Sequence, residues 1–346
     1  MKRGIIIASI ALGSVFLISC IAVILILSFS GWKGAESQMI NETHAAAIEN
    51  DGRLIVDSGM ADCTISYAQD DTQEVTATLT GNGARHRFNF TVEQTADGVK
   101  VTAKRPFTLF NFQLFGNYNL TVTVPRSFAG DLELNNSAGG TQVNLTKLGE
   151  VTLKSGAGAL MVGNLEAESL YMNNSAGKIA VGTIVVKQDI EFKNSAGSTE
   201  AQSLTAGGEV AISSSAGTIQ VNALQAVTAN IKNSAGRTEL YHVADTDVTA
   251  HQSAGEIICE YAAFSNNQVD IKNSASRIRL SLPENAAFAL DASTSAGKVE
   301  CAFPVLSTEH SNDRIRGTVN KEGAQNLVKL HSSAGSVIIE QMAVNE

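Results

Sequence analysis

Val210-Ala211-Ile212-Ser213-Ser214-Ser215-Ala216-Gly217-Thr218-Ile219-Gln220-Val221-Asn222-Ala223-Leu224 is the stretch whose reading decides the fold. Apolar residues alternate with small or polar ones on both sides of a central Ser-Ala-Gly: Val210 and Ile212 before it, Ile219 and Val221 after it. Short alternation of this kind marks a strand with one buried face. The triplet between the two strands is a bend, because glycine reaches backbone conformations closed to other residues. Leu224 then adds one further apolar position in the turn.

The unit recurs. Ser-Ala-Gly ends at Gly139, Gly177, Gly197, Gly217, Gly236, Gly255, Gly297 and Gly335, with variants ending at Gly158 and Ser276. Successive steps between these ends are 19, 19, 20, 20, 19, 19, 21, 21 and 38 residues. The last step is two periods, so one coil lacks the motif, and Gly317 falls about where its glycine belongs. The flanks keep the register, as in Ile179 and Val181 after the bend or Phe192 and Ile190 before it. A period this short excludes a propeller blade, and the Leu-rich consensus of a leucine-rich repeat is missing. The pattern predicts an all-β, single-stranded parallel β-solenoid of about ten coils of 19–21 residues. No single coil encloses a core, so neighbours must stack and share hydrogen bonds. At ~4.8 Å per coil the body forms a rod of about 50 Å.

Within this register the motif has structural work at a corner inside the core. Glycine bends the chain and alanine fits where two strands converge. Stacked serines, beside Asn136, Asn174, Asn194, Asn233 and Asn273, form polar ladders that satisfy backbone groups. The competing reading is a ligand-binding or ice-binding stripe.

The chain has 346 residues and a net charge of -9, which argues against nucleic acid as a partner. Lys2 and Arg3 precede an uncharged, mainly apolar run from Ile5 to Phe29. As a helix this run spans roughly 37 Å, enough for one transmembrane pass with a cytoplasmic N-terminus. Leu17-Ile18-Ser19-Cys20 also resembles a lipobox, and a cleaved secretory signal is the third reading; all three carry the body across a membrane. The expected organisation is an anchor over residues 1–32, a polar juxtamembrane linker over 33–49, an N-terminal β region over 50–130 that caps or starts the solenoid, and the repeat body over 131–346.

Phe107, Phe110, Phe112, Phe115 and Tyr118 concentrate the chain's aromatics just before the repeats. They either plug the N-terminal end of the core or form a partner-contacting patch. Catalytic chemistry finds no foothold. The six histidines lack metal-ligand spacing, and no P-loop, dinucleotide or nucleophile-elbow fingerprint is present. Asp189, Asp245, Asp247, Asp270 and Asp291 share no single register position. Cys259 and Cys301 both lie four residues after a motif end, with Leu280 between, so they are expected two rungs (~9.6 Å) apart and unbridged. No cofactor is implied.

An N-terminal anchor, the Val124-Pro125 pair opening the regular coils, and iterated Ser-Ala-Gly-x-Ile steps resemble a bacterial family of adhesin-like β-strand-repeat proteins of unknown function. The resemblance covers about residues 50–343 and implies a right-handed β-helix, with no catalytic residues to carry over. The expected function is therefore a cell-surface, membrane-anchored, non-catalytic protein that binds or scaffolds an envelope protein or a surface glycan. An envelope-state sensor and a polysaccharide-active β-helix enzyme are the alternatives.

Overall fold

The computed structural model describes residues 39–82, 89–104, 117–321 and 324–342. All regular structure among them is β. The expected membrane helix falls on residues outside this set.

The centre of the molecule follows directly from the repeat. Strands Glu150–Val162, Ser169–Val186, Ile190–Ala206, Glu209–Val221 and Thr228–Ala244 stack in parallel, motif glycine upon motif glycine: Gly158, Gly177, Gly197, Gly217, Gly236. Inward columns such as Leu153, Met172, Phe192, Ile212 and Ile231 close the core on one side of the bend. Leu160, Ile179, Thr199, Ile219 and Thr238 line the other. A third wall comes from Leu165, Ile184, Leu204, Leu224 and Val243.

At the ends the rungs do not follow chain order. Strands Gln268–Ala275 and Ile278–Pro283 pair with Asn326–Ala334 and Val337–Met342, which pair in turn with Phe288–Ala296 and Val299–Cys301. The last coil in sequence is thus inserted beneath the preceding one. The N-terminal end is built likewise. Arg53–Ser58 lies between Gly98–Lys104 and Asp131–Asn136, and Asp62–Tyr67 lies between Tyr118–Val124 and Thr141–Asn144. Antiparallel strands then cover each outermost rung: Arg314–Val319 and Val305–His310 at one end, Glu74–Asn82, Met39–Ala47 and Asn89–Thr95 at the other. Such covers remove the open edge on which further strands would add.

Three expectations are corrected by this arrangement. Gly317 is no motif corner; it lies in a cover strand opposite Leu290 and Ser307. Cys259 and Cys301 stand three rungs apart, with Leu280 and Ile339 between, because the last coil intervenes. Residues 39–47, read as linker, form a strand, since Ile40 packs into the core and the free edge of Glu74–Asn82 needs a partner. The five aspartates occupy more than one column, with Asp189 and Asp247 in one and Asp270 and Asp291 in another.

Candidate binding face

The bend explains what the motif does and which side chains reach solvent. In the central coil Asn194 points inward, Ser195, Ala196 and Gly197 are all exposed, and Thr199 is inward again. Three consecutive outward residues break strand alternation, so alanine fills no interior gap and serine builds no interior ladder. The expectation that the triplet sits inside the core is overturned. The residue before the triplet fills the corner instead.

That buried residue forms a ladder, interrupted at Ser214, whose buried hydroxyl has no partner among the described residues. Asn174 Nδ2 donates to the Gly158 carbonyl at 2.9 Å, Asn194 to Gly177 at 3.2 Å, and Asn233 to Gly217 at 3.1 Å. Gln252 reaches Gly236 at 2.9 Å and Asn273 reaches Gly255 at 2.6 Å. Ser332 continues to Ser276 at 3.3 Å, and Thr294 to Gly335 at 2.9 Å. Each group donates to a corner carbonyl of the neighbouring rung, and losing such a buried side-chain hydrogen bond costs about 1–3 kcal/mol. The asparagine half of the predicted ladder is therefore correct, with the amides acting and the serines outside.

The bend also fixes its last residue. Gly217 has φ +139°, and a Cβ there would collide with the Gly197 carbonyl. Ser276 adopts φ +121° at the equivalent corner, where every other described rung of the motif column has glycine.

Outside the core, equivalent positions of successive coils line up in columns. The motif serines form a ridge, among them Ser175, Ser195, Ser215, Ser234, Ser253 and Ser274. Two residues before each motif serine runs a second exposed or half-exposed column: Asn135, Lys154, Asn173, Lys193 and Ser213, then Lys232, His251, Lys272, His331 and Ser293. Between ridge and column lies an open trough. One stretch of about 460 Å³ is lined by Lys232, His251, Lys272 and the serines beside them, and another of about 260 Å³ by Lys154, Asn173 and Ser175. Register arithmetic on the sequence alone could have found this column, since its members sit at a constant offset from the motif.

The carboxylates have local tasks. Asp131, Asp189 and Asp247 each accept the backbone N–H of the next coil, from Glu150 at 2.8 Å, Glu209 at 2.6 Å and Gln268 at 2.8 Å. Asp245 accepts from Ser265 at 3.1 Å. Asp291 is held by Arg316 at 2.6 Å and Arg314 at 3.3 Å; burial raises its pKa, but the two guanidinium groups outweigh that and hold it below the usual aspartate value. Asp57 is held low in the same way by Lys104 and Lys100 against the opposing effect of burial. Burial pushes the Cys63 thiol up to about 12, and pushes Cys259 up as well. Neither is a nucleophile at neutral pH. Among the described residues no cluster of three or more His, Cys, Asp or Glu is placed to hold a metal ion.

Of the aromatic cluster, Phe107, Phe110, Phe112 and Phe115 lie outside the described residues, whereas Tyr118 opens a strand and is only 4% exposed. The described aromatic plug is at the other end. Tyr261, Phe264, Phe288 and Phe303 meet edge to face in sequence, with ring centroids 4.9, 6.2 and 5.4 Å apart.

The stacked coils define an all-β, solenoid-like repeat protein. The sequence matches the Toastrack DUF4097 family over residues 52–340, and the chain belongs to that family. Among solved structures it is similar to a "putative adhesin" from Bacteroides fragilis, at 11% identity, covering 88% of this chain and all of that one, with a TM-score of 0.34. A protein described in the same words from Parabacteroides merdae is 10% identical, with 87% of this chain and 96% of that one covered and a TM-score of 0.35. No curated protein matches the sequence.

Proposed function

We propose that this protein is a membrane-anchored binding or scaffolding element of the cell surface, with no catalytic step of its own. Its coil is wound right-handed, in keeping with the general preference of parallel crossovers. The observation that supports the reading is the outer face: rigid rungs in register present the same outward positions again and again. A face of this kind suits an extended or repetitive partner, whereas catalysis needs a few groups converging on one point. The apolar run Ile5–Phe29 holds the rod to the membrane, which leaves the repeat body outside.

The test uses the full chain in detergent micelles, incubated with cell-envelope fragments. Saturable retention of an envelope polymer or protein that is lost when the chain is unfolded is the expected result. Retention of no envelope component contradicts the reading.

A further inference from the structure

The spacing of charge in the trough carries an inference that rests on the surface-binding reading and sharpens it. Along the column beside the serine ridge, lysine occupies every second rung: Lys154, Lys193, Lys232 and Lys272, separated by Asn173, Ser213 and His251. Rungs are ~4.8 Å apart, so neighbouring lysines stand ~10 Å apart along a straight line. Lys154 and Lys232 form no ion pair among the described residues and are exposed. Lys193 pairs with Glu191 at 2.6 Å and lies over the Tyr171 ring, 5.2 Å from its centroid, and Lys272 pairs with Asp270 at 3.0 Å. Exposed pairs like these contribute little and yield to a better-placed anion.

We propose that the trough binds an extended acidic glycan with one carboxylate per disaccharide. One pyranose unit is close to one rung in length, so its charged sugars meet the lysines while the neutral sugars lie over Asn173, Ser213 and His251. The serine ridge offers hydroxyls to both. A densely charged polyanion fits worse. Its charges fall on the uncharged rungs too, and Glu191 and Asp270 repel the surplus. The overall charge of -9 works in the same direction, against unselective capture of anions.

The distance from Lys154 to Lys272 is six rungs, about 29 Å, so at one sugar per rung roughly seven sugars cover the column, and an octamer with four carboxylates reaches all four lysines. Hyaluronan oligosaccharides carry one carboxylate per disaccharide and serve as the probe, titrated into the full chain in detergent micelles. Octamers are expected to bind, more tightly than tetramers, and to weaken as salt rises. Replacing all four lysines together (Lys154→Gln, Lys193→Gln, Lys232→Gln, Lys272→Gln) is expected to weaken binding by about 80-fold, at about threefold per exposed pair. The matching arginine variant should stay within about threefold of the original. Unchanged affinity in the glutamine variant, or equal binding of uncharged N-acetylglucosamine octamers or of polyphosphate, overturns the proposal. If the glutamine variant still retains an envelope component as the original chain does, the trough assignment falls and the surface-binding reading stands. If the original chain retains nothing, the broader reading falls.

Discussion

At a motif corner the decisive residue is the last of the triplet, and the one exception among the described corners tests the argument. Ser276 sits at φ +121°, a region where a side chain costs on the order of 1–3 kcal/mol. Ser276→Gly should therefore stabilise the protein by about 1 kcal/mol, read from urea unfolding, while Gly217→Ala should destabilise it by about 2 kcal/mol or more. If both changes are neutral, the corner is not set by backbone conformation. Asn233 makes a second residue-scale case. Asn233→Leu leaves the Gly217 carbonyl without its donor and should cost about 1–3 kcal/mol, whereas Asn233→Ser should cost less, since serine occupies this position at Ser155, Ser214 and Ser332. The buried thiols predict a chemical silence. Cys63 and Cys259 are at most 1% exposed with raised pKa values, so peptide mapping after maleimide treatment of the native protein should find both unmodified, and labelled only on unfolding. The glycine and asparagine positions were readable from the repeat. The outward turn of Ser and Ala was not, because alternation counted through the bend puts at least one of them inside, and only the chain's path shows three residues turning out together.

Among elements, the covers at the two ends carry the clearest pH dependence. Asp291 belongs to the outermost C-terminal rung, and its two arginines belong to the antiparallel strand laid over it. Its folded pKa lies below the unfolded value, so the pair's stabilisation is fully present above the usual aspartate pKa of about 3.9 and is lost as pH falls through the lower, folded value. The difference in stability between the original protein and Asp291→Asn should be constant near neutrality and close in acid. A difference that persists undiminished to the lowest accessible pH contradicts the assignment. The covers themselves were poorly legible. Strands Arg314–Val319 and Val305–His310 carry no motif, and antiparallel pairing at an end obeys no fixed period. The coil strands, whose apolar positions recur at a constant offset from the bend, were legible throughout the body.

Across the molecule as a whole, columns of equivalent residues run from rung to rung even though chain order and rung order part at the ends. Sequence periodicity gives the period and the inward face, but every coil carries nearly the same pattern. It therefore cannot say which coil lies on which. At the C-terminal end the departure from chain order goes with the cover strands and with the aromatic plug of Tyr261, Phe264, Phe288 and Phe303. The lysine column meets this interleaved region at Lys272, whose next neighbour is His331 and not Ser293. Engineered cysteine pairs measure that step directly, in a background with the native cysteines replaced. Lys272→Cys with His331→Cys places the two on adjacent rungs at ~4.8 Å, within disulfide reach, while Lys272→Cys with Ser293→Cys places them ~9.6 Å apart. Ready disulfide formation in the first pair and none in the second is the predicted result; the reverse would mean that the coils stack in chain order.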